Sequence, residues 1–231
     1  MTSNGSTPVV IFGAGGLARE VAWVLNMPGT MLQSAKNKHS PTIHVLGHLD
    51  DREELHGTEV NGRTILGGAA WLVDRPGHAV VVAVGNPAAR RKVVERLRAT
   101  GAEFPTILAS ATVLGDEVEF GEGVITLPGV VITCNVHIGD FVLLNPHVNV
   151  SHDCRIGDYC SLGPGVSLAG NVHVGSLTDI GTNASAIPGA RIGSEVVIGA
   201  GACVVHDVPD GVTAVGVPAK VISKHARNQE F

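Results

Sequence analysis

Aromatic and charged side chains are scarce in this sequence. Aromatic residues make up 3% and charged residues 16% of the 231 residues, and 16 Lys+Arg stand against 21 Asp+Glu, for a formal net charge of −5. So few aromatic rings argue against the stacking platforms that bind single-stranded nucleic acid. The lack of a basic stripe argues against a DNA- or RNA-binding surface. We therefore expect no nucleic-acid partner.

Long hydrophobic runs are lacking and cysteines are few. The amino terminus is polar, and the apolar run at residues 9–12 is too short for a signal peptide. No stretch is long enough to span a membrane. The four cysteines, at positions 134, 154, 160 and 203, show neither metal-binding spacing nor a paired framework. This pattern is typical of a reducing compartment, so we expect a cytoplasmic protein without membrane insertion.

Glycine is abundant, and between residues 112 and 206 every sixth position holds a large apolar residue, except Thr126 and Ala186. The 30 glycines exceed the share of ~7% that is usual in proteins. Two positions before each large residue stands a small or β-branched one, and side chains two apart on a strand point the same way. Such periodicity is typical of a parallel β-helix. The repeating positions are Leu114, Phe120, Thr126, Ile132, Ile138, Leu144, Val150, Ile156, Leu162, Leu168, Val174, Ile180, Ala186, Ile192, Ile198 and Val204.

Three consecutive hexapeptides fit one triangular coil. Residues separated by three hexapeptides then lie in one column, at the strand spacing of ~4.8 Å. Cys154 and Cys160 fall in the small inward column, so we interpret both as core. Glycine often follows the large residue, as at Gly139 and Gly157, where we expect a corner with positive φ.

The amino-terminal third follows a different pattern, in which short apolar strands alternate with helices. This order predicts a small Rossmann-like α/β domain with a parallel sheet at residues 1–108, followed by the β-helix and a short tail at 109–231. The predicted strands are 9–12, 43–49 and 80–84, and the predicted helices are 17–25 and 88–99.

A glycine-rich turn, Gly13-Ala14-Gly15-Gly16-Leu17-Ala18, joins the first strand to the first helix. Its backbone N–H groups and the helix amino terminus suit a phosphate, although a plain tight turn is the alternative. Asp50, Asp51 and Gly85 follow later strands and would lie at the same carboxyl edge of the sheet. No room remains for a full dinucleotide domain before the repeats begin.

The chain resembles the hexapeptide-repeat sugar acetyltransferases, which include sialic acid O-acetyltransferases and N-acetyltransferases of nucleotide-linked amino sugars. The resemblance covers nearly the whole chain. It rests on Val10-Ile11-Phe12-Gly13-Ala14-Gly15-Gly16, Leu49-Asp50-Asp51, Ala83-Val84-Gly85-Asn86, Asn145, Ser151-His152-Asp153-Cys154, Ala169-Gly170-Asn171-Val172 and Val215-Gly216-Val217-Pro218-Ala219-Lys220.

The resemblance implies a left-handed β-helix, a homotrimer with active sites between subunits, and acetyl-CoA as co-substrate. His152 would be the general base with Asp153 beside it, and the Gly170 amide would hold the thioester carbonyl. The remaining implied contacts are Asn145 with the sugar, Ser161, Thr182 and Ala200 with acetyl-CoA, and Gly13, Ala14, Gly15, Asp50, Asp51 and Gly85 with the nucleotide sugar.

The implied activity is N-acetylation of a nucleotide-linked amino sugar for a surface glycan. Acetylation of a hydroxyl, as on a sialic acid, is the first alternative. A non-catalytic nucleotide-binding scaffold is the alternative of another class. The segment 28–41 is longer than in compact relatives. The family's contacts at the rim of the sugar site are therefore the part of the resemblance that transfers least to this chain.

Gly170 lies three hexapeptides beyond His152, which independently predicts that the two are neighbours on adjacent coils.

Two other residues compete with His152 for the catalytic role. His206 has the same hexad phase and an adjacent Asp207, but no further repeat follows it. Cys134, three hexapeptides before His152, raises the possibility of an acyl-enzyme.

An outward column holds His137 and His173 with Arg155 between them. An interposed arginine makes a poor metal site, so we expect no metal.

Overall fold

A computed structural model describes residues 6–33, 42–75 and 77–224. Residues 34–41, within the long segment noted in the sequence, lie outside the described residues. The chain forms two compact units, one of Met1–Gly85 with Ala89–Ser110, the other of Asn86–Ala88 with Ala111–Phe231. Among the described residues, no helix is both long and apolar enough to cross a membrane.

The strands of the first unit are β1 Ser6–Phe12, β2 Met31–Gln33, β3 Thr42–Leu49, β4 Glu59–Val60, β5 Arg63–Gly67, β6 Ala79–Val82 and β7 Thr106–Leu108, with β2 antiparallel to β7. Five of them form a sheet in the order β4-β5-β3-β1-β6, parallel except for the β4–β5 pair. Strand β1, which pairs with β3 on one side and β6 on the other, is apolar on both faces. Its residues Val9, Val10 and Ile11 are fully buried, as a doubly covered parallel sheet requires.

Two helices follow the strands β1 and β6. Helix α1, Gly16–Leu25, buries Ala18, Val21 and Leu25 at helical spacing. Helix α2, Pro87–Arg98, starts with a proline, which is favoured at the first helical position because its missing N–H has no helical acceptor there. The predicted βαβ pattern is therefore present.

The second unit is a left-handed parallel β-helix, in which short strands stack on three faces and each strand pairs with the one three hexapeptides later. The column Ile138, Ile156, Val174 and Ile192 pairs in register, for example. Face one contains β10 Ile125–Thr126, β13 Leu143–Leu144, β16 Ser161–Leu162, β19 Asp179–Ile180, β22 Val197–Ile198, β24 Val212–Val215 and β25 Lys220–Lys224; face two contains β8 Val113–Leu114, β11 Val131–Ile132, β14 Asn149–Val150, β17 Ser167–Leu168, β20 Ser185–Ala186 and β23 Cys203–Val204; face three contains β9 Val118–Phe120, β12 Val136–Ile138, β15 Arg155–Ile156, β18 His173–Val174 and β21 Arg191–Ile192.

Both inward columns fill the core of this prism. Cys154 and Cys160 are fully buried, as the hexad phase predicts, and their thiols donate to the carbonyl oxygens of Ala169 and Gly175. Burial raises the pKa of the Cys154 thiol, so this cysteine is an inert core residue.

The prediction that glycines after the large residue adopt positive φ is wrong. The left-handed residues lie three positions after the large residue, and several are not glycine, including Asn135, Asp153 and Asn171. Glycine follows the large residue because the next coil approaches closely. A Cβ on Gly157 would come 2.6 Å from the Ser176 nitrogen, too close for any side chain.

Truncation inside the prism should be costly. Ile156 is 1% exposed and packs between the coils above and below it. We expect Ile156→Ala to lower the free energy of unfolding by about 2–5 kcal/mol, because the cavity cannot fully collapse. The neighbouring Arg155 is exposed, so Arg155→Ala is the matched control, with a change within about 0.5 kcal/mol. Denaturant unfolding of both variants measures this, and equal losses would contradict it.

Candidate active site

The chain turns between faces two and three at residues 151–154, which we call the His152 corner. Strand β14 ends at Val150, and β15 begins at Arg155. Asp153 occupies the left-handed position of this corner, with φ 61°. The side chains of His152 and Asp153 point outward and are 60% and 53% exposed.

The His152 ring is oriented by its neighbour. Its Nδ1 lies 2.8 Å from Asp153 Oδ2. This hydrogen bond is the main cause that lowers the pKa of Asp153, and Asn135 adds a longer contact at 3.4 Å. Because the carboxylate is ionised it can only accept, so Nδ1 carries the proton. The Nε2 lone pair is then left to act as a base.

Gly170 lies directly beneath the imidazole. A Cβ on this residue would come 2.6 Å from His152 Nε2 and closer still to Cε1, so any side chain would displace the ring. The N–H groups of Ala169 and Asn171 donate to Ala186 and His152 carbonyls. Within the described residues, the buried Gly170 N–H has no acceptor. A base and an unused amide donor are thus adjacent.

The competing residues are arranged differently. Asp207 accepts the Arg191 N–H at 2.9 Å, and the residue three hexapeptides beyond His206 is Lys224 instead of a glycine. Cys134 lies one coil before His152, where its carbonyl accepts the Asp153 N–H at 3.1 Å, and it is exposed.

The other residues that the resemblance assigns to the donor and the sugar lie away from the His152 corner. Asn145, Thr182 and Ala200 follow strands of face one, at its corner with face two. The Asn145 amide donates to the Leu162 carbonyl at 2.8 Å. Ser161 lies on face one and is 5% exposed. Within one chain, face two separates this corner from His152.

Face three carries an outward column of His137, Arg155, His173 and Arg191 along a groove of about 600 Å³. His137 pairs with Glu119 at 3.1 Å. Burial, with Arg191 and Arg155 nearby, lowers the pKa of His173. Across the described parts of the chain, no three His, Cys, Asp or Glu side chains group as metal ligands. The expected absence of a metal stays a prediction.

In the first unit, the glycine turn is held at the carboxyl edge of the sheet. The Gly13 N–H donates to the Leu49 carbonyl at 2.7 Å, and its carbonyl accepts from His48 Nδ1 at 2.9 Å. Burial lowers the pKa of His48, so this imidazole is neutral. Gly13 has φ 120°, and a Cβ there would come 2.9 Å from the Ala83 oxygen. Only glycine fits this position.

The two aspartates at this edge are engaged by arginines. Asp50 pairs with Arg52 through two contacts of 2.8 and 2.9 Å, and it also accepts the Ala14 N–H. The Arg52 side chain is the main cause that lowers the pKa of Asp50. Asp51 accepts from the Ala69 N–H at 3.3 Å and from Arg96. Gly15 and Gly85 each have open space where a Cβ would stand.

Sequence reasoning missed the cations of this edge. Arg90 is only 2% exposed and donates to the carbonyls of Val84 and Gly85, at 2.6 and 2.8 Å. A signal for it exists, because Arg90 shares a helical face with the buried Val94 and Leu97. Arg52 and Arg96 offer no such pattern, since both are exposed and are positioned by side-chain contacts.

Comparison with known proteins identifies both parts of the chain. Residues 8–97 match the model of the PglD N-terminal domain, and residues 135–170 match the model of the bacterial transferase hexapeptide with six repeats. No curated protein matches the chain significantly.

Solved structures match over almost the whole length. PerB from Caulobacter crescentus, in complex with CoA and GDP-perosamine, is 34% identical with a TM-score of 0.81, covering 94% of this chain and 97% of that one. The acetyltransferase domain of PglB from Neisseria gonorrhoeae is 30% identical with a TM-score of 0.81, covering 93% and 99%. WeeI from Acinetobacter baumannii is 31% identical with a TM-score of 0.73, covering 94% and 100%. The chain therefore belongs to the hexapeptide-repeat family of CoA-dependent sugar N-acetyltransferases.

Proposed function

We propose that this protein transfers the acetyl group of acetyl-CoA to the amino group of a nucleotide-linked amino sugar, in the biosynthesis of a surface glycan. The observation that carries the chemistry is the His152 corner, where an oriented imidazole lies against the unused amide of Gly170. PerB, a relative of similar fold, has been crystallised with CoA and GDP-perosamine. That complex supports a nucleotide-linked amino sugar as the acceptor.

The geometry supports direct transfer with His152 as general base. The Nε2 lone pair takes the proton of the acceptor amine as its nitrogen attacks the thioester carbonyl. The Gly170 N–H donates to the oxygen that becomes negative in the tetrahedral intermediate. Asp153 stays ionised and stabilises the imidazolium. Collapse of the intermediate breaks the carbon–sulfur bond and releases CoA, whose thiolate can recover the proton.

We assign the acceptor nucleotide to residues 1–108 and acetyl transfer to residues 109–231. The division of the chain at Ser110 into compact units supports this boundary. In the amino-terminal part, Gly13, Ala14, Gly15 and Gly85 lie at the carboxyl edge of the sheet, where ligands bind in folds of this kind. Gly15 and Gly85 leave open space at this edge.

A homotrimer would complete each site. Asn145, Thr182 and Ala200 lie at one corner of the prism and His152 lies at another, so a second copy is needed to bring the two sets together. We expect sedimentation equilibrium to give three times the 23.8 kDa of one chain. A monomer that retains full turnover would refute this assembly.

Incubation with acetyl-CoA and a panel of free and nucleotide-linked amino sugars tests the activity, with release of CoA as the readout. We expect release only with nucleotide-linked acceptors that carry a free amine. Faster release with a hydroxyl acceptor, such as a sialic acid, would favour the O-acetyltransferase instead. If the protein does not bind CoA and releases none with any acceptor, the result would favour the non-catalytic scaffold.

The pH dependence tests the role of Asp153. Its lowered pKa keeps the carboxylate ionised throughout the assay range, so the acid limb of kcat/KM does not report its titration. Asp153→Asn removes the anion that stabilises the imidazolium in the transition state, so we expect kcat to fall throughout the assay range. Asn135→Ala, which removes only the weaker contact, should lower kcat less. A loss in Asp153→Asn that is confined to one end of the pH range would contradict this role.

A further inference from the structure

The acceptor of the proposed reaction carries a diphosphate, and two arginines flank the glycine turn. Resting on that proposed function, we infer that Arg52 and Arg96 bind this diphosphate, while Asp50 and Asp51 act as positioning residues. The resemblance implies that the aspartates contact the nucleotide sugar directly. In the structure, however, both carboxylates already accept from these arginines.

Arg52 is linked to the glycine turn through the carboxylate of Asp50. Its Nε and Nη2 donate to the two oxygens of Asp50, and the same carboxylate accepts the Ala14 N–H. Arginine has five N–H donors, and a bidentate pair uses two of them. The Arg52 side chain is 57% exposed, so the remaining donors can reach a ligand. The guanidinium is thus fixed in orientation and still has donors to offer.

Arg96 approaches the turn from helix α2. It donates to Asp51, and its guanidinium carbon lies 5.6 Å from the ring centroid of Phe12, the residue before Gly13. The Arg96 side chain is 50% exposed. Contacts from a carboxylate and an aromatic face hold the planar group in one orientation, which suits bidentate recognition of phosphate.

The charge balance of this edge favours arginines as the phosphate ligands. Two unpaired carboxylates beside the turn would repel a diphosphate, whereas each is neutralised here by a guanidinium. Helix α1 starts at the turn, with no side-chain cap at Gly15 and no acidic residue in its first turn. Its N–H groups therefore supply a positive potential beside the turn, while each paired arginine supplies directed N–H donors.

Calorimetric binding of a nucleoside, its monophosphate and its diphosphate separates the possible roles. The full-length protein and the variants Arg52→Gln and Arg96→Gln are titrated with the guanosine, uridine and thymidine series. Arg75→Gln is the matched control, because Arg75 is an arginine of the same unit that packs 4.3 Å over the Trp71 ring. Melting curves establish that each variant is folded.

We expect the diphosphate Kd to rise about 10- to 100-fold in each site variant, the loss typical of one charged hydrogen-bonding group. The nucleoside Kd should stay the same, and Arg75→Gln should match the unaltered protein. Equal losses for nucleoside and diphosphate would overturn the inference, since the arginines would then act only by holding the aspartates. Unchanged diphosphate binding in both variants would also overturn it.

These outcomes are distinct from failure of the proposed function. If the unaltered protein binds a nucleoside diphosphate and acetylates the linked amino sugar while both variants bind normally, only the arginine assignment fails. If the unaltered protein binds no nucleoside diphosphate and acetylates only free sugars, the proposed acceptor fails, and the arginine assignment fails with it.

Discussion

Replacing His152 by alanine should lower kcat about 10²- to 10⁴-fold, the usual contribution of a positioned general base. The fold should be unaffected, because the side chain is 60% exposed and lies at a corner. The KM for acetyl-CoA should change little, since the Gly170 amide is still present. Release of CoA at saturating acceptor and varied acetyl-CoA measures kcat and KM, and a melting curve measures stability.

His206→Ala is the matched control for this variant. His206 has the same hexad phase and is also followed by an aspartate, yet Asp207 bonds to the Arg191 backbone. We expect nearly full activity. Loss of turnover in His206→Ala but not in His152→Ala would transfer the role of base to His206.

A burst of CoA without acceptor, abolished in Cys134→Ser, would contradict direct transfer and indicate an acyl-enzyme.

Replacing Gly170 by alanine should inactivate the enzyme almost as strongly while leaving it folded. All three of the closest atoms to the added Cβ belong to the His152 ring, and the farthest of them is 3.1 Å away. The exposed ring can swing into solvent, so the melting temperature should barely change. The base is then displaced from the acyl carbon, and a shift of ~1 Å can cost about 10²-fold in rate. Single-turnover acetyl transfer measures this loss.

A double mutant tests the cause of that loss. In the His152→Ala background the ring is absent, so Gly170→Ala meets no obstacle and should cost little further activity. This non-additivity is the signature of two residues that act as a unit. A full additional loss in the double mutant would instead mean that the added methyl group blocks the thioester directly.

The solenoid could be predicted in detail because its information is local and repeated. Each hexapeptide repeats the same two inward-facing positions, so the burial of Cys154 and Cys160 follows from their place in the repeat. The spacing of three hexapeptides between His152 and Gly170 likewise predicts the adjacency that the structure shows. The role of the glycines could not be predicted this way. Whether a glycine relieves backbone strain or a close approach depends on the neighbouring coil.

The amino-terminal edge shows the opposite case. Strand, turn and helix were predictable from apolar runs and the motif at Gly13, because such signals lie close to one another along the chain. The contacts of Asp51 with Ala69 and Arg96 join distant positions in a non-repeating segment. No periodic pattern relates these positions, so the sequence does not indicate that arginines already pair with the aspartates.

Residue order alone was enough for the stacked-strand architecture of this protein and for the adjacency of His152 and Gly170, because hexad phase determines the face and the coil on which a residue lies. The left hand of the β-helix and the choice of His152 as the candidate base came from the family resemblance, since His206 has the same phase. Folding in three dimensions was needed for everything that depends on side-chain reach. It oriented the His152 ring through Asp153, bonded the Asn145 amide to the Leu162 carbonyl, and paired the aspartates with arginines. Such contacts form where packing brings side chains within a few ångströms of their partners. The spacing of residues along the sequence does not predict those distances.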